Sequence, residues 1–92
     1  MKIFALHDLK LNEFGQPFYF QANGQAVRFL QDLTRDAKTS IAQHPEDFRL
    51  YALGAYDPVS GTFENLPVPM LLADATSFVE EPSNVRKIAT TH

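Results

Sequence analysis

The sequence contains no cysteine and no tryptophan, and only four of its 92 residues are glycine. The absence of cysteine excludes disulfides, thiol nucleophiles and cysteine-based zinc sites. The glycines are too dispersed along the chain to form a phosphate-binding loop. No apolar run approaches the length of a membrane span, and the first residues lack a signal-peptide pattern. We therefore expect a cytoplasmic protein that does not contact a membrane.

Basic residues are also scarce, with 8 Lys and Arg against 11 Asp and Glu and a formal net charge of −3. This charge disfavours non-specific binding to duplex DNA, which depends on Lys and Arg contacts with phosphates. Binding to a single strand remains open, because a local basic groove and stacked aromatic rings can supply it. The hydrophobic fraction of 45% and the charged fraction of 21% are typical of one globular domain.

The stretch from Phe48 to Phe63 is the richest in aromatic and aliphatic residues, and it predicts a β-hairpin. Both alternating sets of positions in residues 48–56 include apolar side chains, as in a strand covered on both faces. The sequence DPVSG that follows is typical of a tight turn. Asp57 can accept a hydrogen bond from the backbone two residues on, Pro58 fixes φ, and Gly61 allows a positive φ.

Other segments predict the remaining elements. Residues 2–8 form an apolar run of strand length, and residues 17–21 predict a second strand that begins at Pro17. Asn23 is a candidate N-cap for an amphipathic helix whose apolar residues continue at helical spacing to Ala37. Residues 9–16 predict a loop or a wide hairpin turn. Residues 38–43 either end the helix or form a short second one that Thr39 or Ser40 caps.

The order strand, strand, helix, strand, strand predicts an α+β fold. It is a four-stranded, mostly antiparallel sheet with one main helix packed on one face. Pro67 and Pro69 exclude a helix or an inner strand, so an extended C-terminal segment follows the hairpin. Residues 70–78 predict a short helix or strand that covers the sheet. We expect residues 1–79 to form a single domain and the polar residues 80–92 to form a flexible tail.

No combination of residues indicates catalysis. His7, His44 and His92 are far apart and lack zinc-binding spacing. No serine lies in a nucleophile-elbow context, and the adjacent acids Glu46 and Asp47 favour turn capping over a paired-carboxylate site. We therefore predict that the protein is not an enzyme and uses no metal or cofactor.

Binding residues are easier to nominate. Tyrosines at positions 19, 51 and 56 lie on predicted strands, and Arg49 shares a strand face with Tyr51. A cation beside an aromatic ring on a sheet can contact a phosphate while the ring stacks a base. Equally, the pair can be an edge-of-core tyrosine beside a solvated arginine. The candidate nucleic-acid-binding residues are Lys2, Tyr19, Arg49 and Tyr51, with Arg86 and Lys87 from the tail.

Several segments together resemble a known family. They are the start MKIFALHD, the dipeptide PF, AVRFLQDLTRD and HPEDFRLYALGAYDPVSGTF. The most specific part follows the pattern P-x-D-x-x-L-x-x-[IL]-G-x-[FY]-D, met by Pro45, Asp47, Leu50, Leu53, Gly54, Tyr56 and Asp57. Over roughly residues 1–65 the chain resembles the small non-structural protein of gokushovirus-type Microviridae, single-stranded DNA phages that include the chlamydia phages.

The resemblance implies a protein made in the host cytoplasm rather than a capsid component. It implies a role in the late switch to single-stranded DNA synthesis and in packaging that DNA into the procapsid. The family offers no catalytic residues that can be carried over to this chain.

Two hypotheses follow for the partner. In the first, the domain binds single-stranded DNA through the candidate residues named above. In the second, it is an adaptor that docks on the replication initiator or the procapsid, using its aromatic sheet face or an edge strand. We also expect a homodimer, because exposed aromatic residues and an open sheet edge favour two-fold pairing.

Overall fold

Three strands, then two helices, then two further strands follow one another along the chain in a computed structural model that describes residues 1–79. The elements are β1 (Lys2–Asp8), β2 (Glu13–Phe14), β3 (Phe18–Phe20), α1 (Asn23–Arg35), α2 (Ser40–Gln43), β4 (Phe48–Asp57) and β5 (Thr62–Asp74). Short 3-10 helices span Pro45–Asp47 and Ala75–Phe78. The predicted α+β class with one main helix is confirmed. The predicted tail, residues 80–92, lies outside the described residues.

The sheet is antiparallel and four positions wide, although five strands build it. Its order is β2-β1-β4-β5, and β3 also pairs with β1. Strand β2 pairs with the end of β1, at His7 and Asp8, and β3 pairs with its beginning. Between them the Gly15 N–H donates to the Leu6 carbonyl oxygen at 2.8 Å. Strands β2 and β3 are therefore two halves of one interrupted strand. Residues 9–16, predicted to be a loop or a wide hairpin turn, consist of a short turn followed by β2, which was not predicted.

Helix α1 covers one face of this sheet. Its buried residues Ala26 and Leu30 join Phe4, Leu50 and Ala52 in the core. The helix residues of this core follow helical spacing, and the strand residues alternate along their strands. The apolar area that they bury against each other is the main source of stability in a two-layer domain. Leu30 packs on the central strands, whereas the Phe29 ring contacts Phe18 and Phe20 of β3.

The ends of α1 differ in part from the prediction. The N-cap is Ala22, and the side chain of Gln25 accepts a hydrogen bond from the Ala22 N–H at 2.9 Å. Asn23 is therefore the first helical residue, and its predicted capping role is wrong. Past the end of α1, Thr39 caps the short helix α2 by accepting from the Ala42 N–H at 3.0 Å, and its hydroxyl donates to the Leu33 carbonyl at 2.8 Å.

Two turns of the same design fix the register of the hairpins. In the β4–β5 turn, Asp57 accepts from the Val59 N–H at 2.9 Å and Gly61 has a φ of 73°. In the β1–β2 turn, Asp8 accepts from the Lys10 N–H at 2.9 Å and Asn12 has a φ of 57°. Each turn places an aspartate before the loop and a left-handed residue at its end, where Gly and Asn are the tolerated residues.

Strand β5 is longer than the predicted Thr62–Glu64 and forms one edge of the sheet. Its pairing with β4 passes from Asn65 to Met70, so residues 66–69 bulge out of the ladder. The segment that was predicted to be extended is thus the middle of an edge strand. Pro67 and Pro69 are accommodated there because bulged residues need no N–H for pairing.

The backbone of β5 approaches β4 most closely at Gly54. A Cβ at this position would overlap the Glu64 carbonyl oxygen and lie 3.0 Å from the Asn65 Cα, with a φ of 159°. The obstructing atoms belong to the backbone of the neighbouring strand, so no side-chain rotation relieves the overlap. Only glycine allows the two strands to remain paired here.

We predict that Gly54→Ala lowers the free energy of unfolding by about 2 kcal/mol, since the strands must separate to admit the methyl group. Urea denaturation followed by circular dichroism measures this change. The matched control is Gly24→Ala, in the first turn of α1, where an added Cβ meets nothing within 4 Å. This control should be neutral or stabilising by up to about 1 kcal/mol. Equal stability of the two variants would contradict the packing described for Gly54.

Candidate binding face of the sheet

The sheet face opposite α1, called here the open face, has no helix packed on it. Ile3, Ala5 and His7 of β1 point to this side because they alternate with the core residue Phe4. Ile3 and Ala5 are nevertheless buried. In the ladder, Tyr19 lies directly opposite Ile3 and Tyr51 directly opposite Ala5. Aromatic side chains thus take the place of a second helix on the open face.

One group of rings, called here the His7 cluster, consists of His7, Phe14 and Tyr51. The ring centroid of His7 lies 4.5 Å from that of Phe14 and 6.0 Å from that of Tyr51. Phe14 and Tyr51 are 5.4 Å apart with an edge-to-face geometry. These are the separations at which aromatic pairs stabilise each other. The His7 cluster is therefore a packed layer over the end of β1. The Nδ1 atom of His7 is buried and has no hydrogen-bond partner among the described residues.

A second group, called here the Tyr56 cluster, consists of Tyr19, Tyr56 and Phe63 at the other end of the face. The centroid of Tyr56 lies 6.4 Å from that of Tyr19 and 5.0 Å from that of Phe63. Together with Met1 and Gly61, these rings line an open pocket of about 430 Å³. Tyr19 and Phe63 are 40% and 59% exposed, so this cluster is much more accessible than a core.

The structure divides the predicted nucleic-acid site into two parts. Tyr19, Arg49 and Tyr51 share the open face, as the predicted pairing of Arg49 with Tyr51 requires. However, Tyr19 and Arg49 belong to opposite ends, since Arg49 precedes Tyr56 by seven residues of strand, or about 23 Å. Lys2 is adjacent to Ile3 and points to the other face. Arg86 and Lys87 lie outside the described residues.

Arg49 already has an anionic partner. Its Nε atom donates to Asp74 Oδ1 at 2.7 Å across the β4–β5 ladder. This hydrogen bond, with a smaller contribution from the neighbouring Tyr51 hydroxyl, raises the pKa of Arg49 above its ordinary value. A DNA phosphate would have to compete with the Asp74 carboxylate for the guanidinium, which weakens Arg49 as a phosphate contact.

Lys2 instead lies at the same end of the sheet as the Tyr56 cluster. It lines a separate pocket of about 220 Å³ with Asn23 of α1 and with Asn65 and Leu66 of β5. Lys2 follows Met1, which lines the Tyr56 pocket. The predicted residues Lys2 and Tyr19 therefore occupy the two sides of one end of the sheet, whereas Arg49 and Tyr51 occupy the other end.

One group of potential metal ligands occurs in the described residues. Single ligand atoms of His44, Glu46 and Asp47 all lie within 4.8 Å of one another. The three residues belong to one turn, and both His44 and Glu46 are exposed. Neighbours in one turn lie this close for local reasons. The 3-10 helix Pro45–Asp47 has no side-chain capping hydrogen bond at its start, so the structure does not show the turn-capping role predicted for Glu46 and Asp47. We assign no metal site to them.

The sequence did not identify Phe63 or Phe14 as candidate residues, and simple alternation along β4 does not give the face of Tyr56. By alternation Tyr56 would share a face with Leu50 and Ala52. In the structure the pairing of β1 skips Leu53, so Gly54 pairs with Ile3 of the open face. This β-bulge reverses the alternation and turns Tyr56 toward Tyr19. Gly54 was the available signal, because an isolated glycine within a strand often marks a bulge.

No helix in residues 1–79 is long and apolar enough to cross a membrane. The fold and the open face define a small α+β protein with an exposed aromatic sheet surface. A family model described as Phage ORF5 protein matches residues 1–78, and the chain belongs to this family. It is therefore a bacteriophage protein. Comparison with curated proteins and with solved structures gives no match.

Asp57 supports the turn that carries one wall of the Tyr56 pocket. The Val59 N–H and the Ser60 hydroxyl stabilise its carboxylate and lower the pKa of Asp57. Because the pKa in the folded state is lower than in the unfolded state, this stabilisation is complete above the unfolded value of about 3.9. It is lost as the pH falls through the lowered folded value.

We predict that Asp57→Asn lowers the urea midpoint at pH 7 and that the difference from the wild type disappears at low pH. Urea titrations between pH 7 and about pH 2 measure it. The control is Asp32→Asn, an exposed residue of α1. A difference between Asp57→Asn and the wild type that is unchanged at the lowest pH would contradict a role for the carboxylate charge.

Proposed function

We propose that the chain is a non-enzymatic, non-structural protein of a gokushovirus-type phage. It acts in the host cytoplasm, in the synthesis or packaging of single-stranded DNA, by binding that DNA. The observation that supports this proposal best is the aromatic open face, with the His7 cluster at one end and the more exposed Tyr56 cluster at the other. Exposed rings on a sheet stack unpaired bases with little sequence preference.

The charge distribution determines what kind of binding this is. A net charge of −3 and the engagement of Arg49 by Asp74 leave few cations for phosphates. Stacking must then supply most of the affinity, with Lys2, at the Tyr56 end of the sheet, and Arg86 and Lys87 as candidate phosphate contacts. Each phosphate contact with a single strand contributes about −0.7 to the slope of log K against log salt concentration. A protein with few contacts has a shallow slope.

We predict that a fluorescently labelled oligothymidylate binds at low salt with a slope between about −1 and −3, measured by anisotropy. Lys2→Ala should make the slope shallower by about 0.7. The matched control is Arg28→Ala, an exposed cation on the outer side of α1 that lies away from the open face. This control should leave the slope unchanged. Absence of binding at low salt would contradict the proposal.

A second function is supported by another feature. The bulge of β5 exposes an apolar segment at the sheet edge in which Val68 is 70% and Met70 is 47% accessible. An adaptor that docks on the replication initiator or the procapsid would use such a surface. Pro67 and Pro69 lack N–H groups, so a partner would bind by side-chain contacts rather than by adding a strand. Capture of either phage protein by the immobilised chain, without oligonucleotide binding, would favour this function.

We also propose a homodimer, because the outer edge of β5 is unpaired and its residues 62–71 are exposed. Light scattering coupled to gel filtration should then give twice the chain mass of 10.4 kDa. Val68→Asp should shift the mass toward the monomer, whereas Val59→Asp, in the exposed β4–β5 turn, should not. A mass of one chain at all concentrations would contradict the dimer.

A further inference from the structure

We propose that the pocket of the Tyr56 cluster is the primary base-binding subsite and holds one unpaired base of a single strand. This inference rests on the proposed function and adds to it the place where stacking occurs. Tyr56 and Phe63 were not among the residues that the sequence nominated for DNA binding. The subsite also reassigns the main contacts from the Arg49 end of the face to the Tyr19 end.

The lining of the pocket determines the chemistry of its ligand. Its five residues are Met1, Tyr19, Tyr56, Gly61 and Phe63. Three of them contribute aromatic rings, and the only polar side-chain atoms are the hydroxyls of Tyr19 and Tyr56. No charged side chain lines the pocket, and the N-terminal ammonium of Met1 beside it already donates to the Tyr56 carbonyl oxygen at 3.0 Å. A charged ligand group would therefore lose water with little compensation from the lining side chains. A flat, uncharged ring with polar edges fits this combination, and an unpaired nucleobase is such a ring.

The size and exposure of the pocket are also appropriate. Its volume of about 430 Å³ lies within the range of about 300–1,000 Å³ that is usual for small-molecule sites. Phe63 and Tyr19 keep 59% and 40% of their surface accessible, so both retain surface for a ligand. Tyr56 packs between them with interplanar angles of 70° to Tyr19 and 46° to Phe63. The rings thus form a cleft rather than a closed stack, and a base can enter it.

Three strands hold the cleft in place. Tyr56 and Phe63 are direct partners in the β4–β5 ladder, and the Tyr56 N–H donates to the Met1 carbonyl at 2.7 Å. Tyr19 comes from β3, where it pairs with Ile3. Gly61 has no side chain that could fill the opening, and its left-handed φ closes the turn beneath Phe63. The rings are therefore positioned by backbone pairing before any ligand binds, which reduces the entropy cost of binding.

The His7 cluster differs in the respects that matter for stacking. Its rings contact one another at centroid distances of 4.5–6.0 Å and so cover much of one another's surface. Phe14 alone is strongly exposed, at 44%. This gives a matched pair of exposed phenylalanines on one face, Phe63 inside the proposed subsite and Phe14 outside it.

The first experiment uses tyrosine fluorescence, which is the intrinsic signal of a chain without tryptophan. The variant Tyr51→Phe leaves emission from Tyr19 and Tyr56 only, both of which line the pocket. Saturating oligothymidylate should quench this emission, because a stacked base accepts the excitation energy. Oligonucleotide binding detected by anisotropy, without a change in the emission of Tyr51→Phe, would overturn the subsite.

The second experiment compares Phe63→Ala with Phe14→Ala, each first checked for its circular dichroism and urea midpoint. Loss of one stacking ring should weaken binding of oligothymidylate by about tenfold in Phe63→Ala and less than about twofold in Phe14→Ala. The reverse order would overturn the subsite and leave the proposed function intact. If the wild type binds no oligonucleotide, the proposed function itself fails. Phe63→Tyr keeps the ring and should restore binding.

Discussion

A single amphipathic helix can cover only one face of a sheet, and the rest of this structure depends on that constraint. Helix α1 buries Leu30 against Phe4 and Leu50, and nothing helical remains among residues 1–79 for the other face. The central strand β1 is nevertheless apolar on both sides, with Ile3 and Ala5 buried away from α1. Large aromatic side chains solve this problem, because each ring can cover a neighbouring small residue while one side of the ring remains in contact with water.

The aromatic cover links folding to the proposed binding. A ring that shields a strand must be large, flat and held in position, and a ring that stacks a base needs the same properties. The two clusters divide these tasks differently. The His7 cluster is closed upon itself, whereas the Tyr56 cluster keeps its outer rings accessible. Phage ORF5 family membership identifies the chain as a bacteriophage protein, and the accessible cluster is the surface through which we propose that it acts.

The sequence predicts most of the fold because local patterns and turn chemistry agree there. The bounds of β1, the DPVSG turn and the apolar face of α1 are all determined by residues that are close together in the sequence. What the sequence does not reveal depends on contacts between residues that are far apart in the chain. The partner of Arg49 is Asp74, which is 25 residues away. The face of Tyr56 depends on a bulge where β1 skips Leu53, and alternation alone cannot reveal it. Tyr19 and Lys2, which the sequence nominated, lie on regular strands at the Tyr56 end of the sheet.

The proline bulge of β5 has a consequence for how copies of the chain can associate. An exposed strand of 13 residues would be a template for indefinite stacking of further copies. The bulge divides its ladder with β4 into the segments 62–65 and 70–74. Both segments are shorter than the roughly six or seven residues that form a steric zipper. The two prolines thus protect the chain against fibril growth, while the apolar side chains between those segments remain free for a specific neighbour.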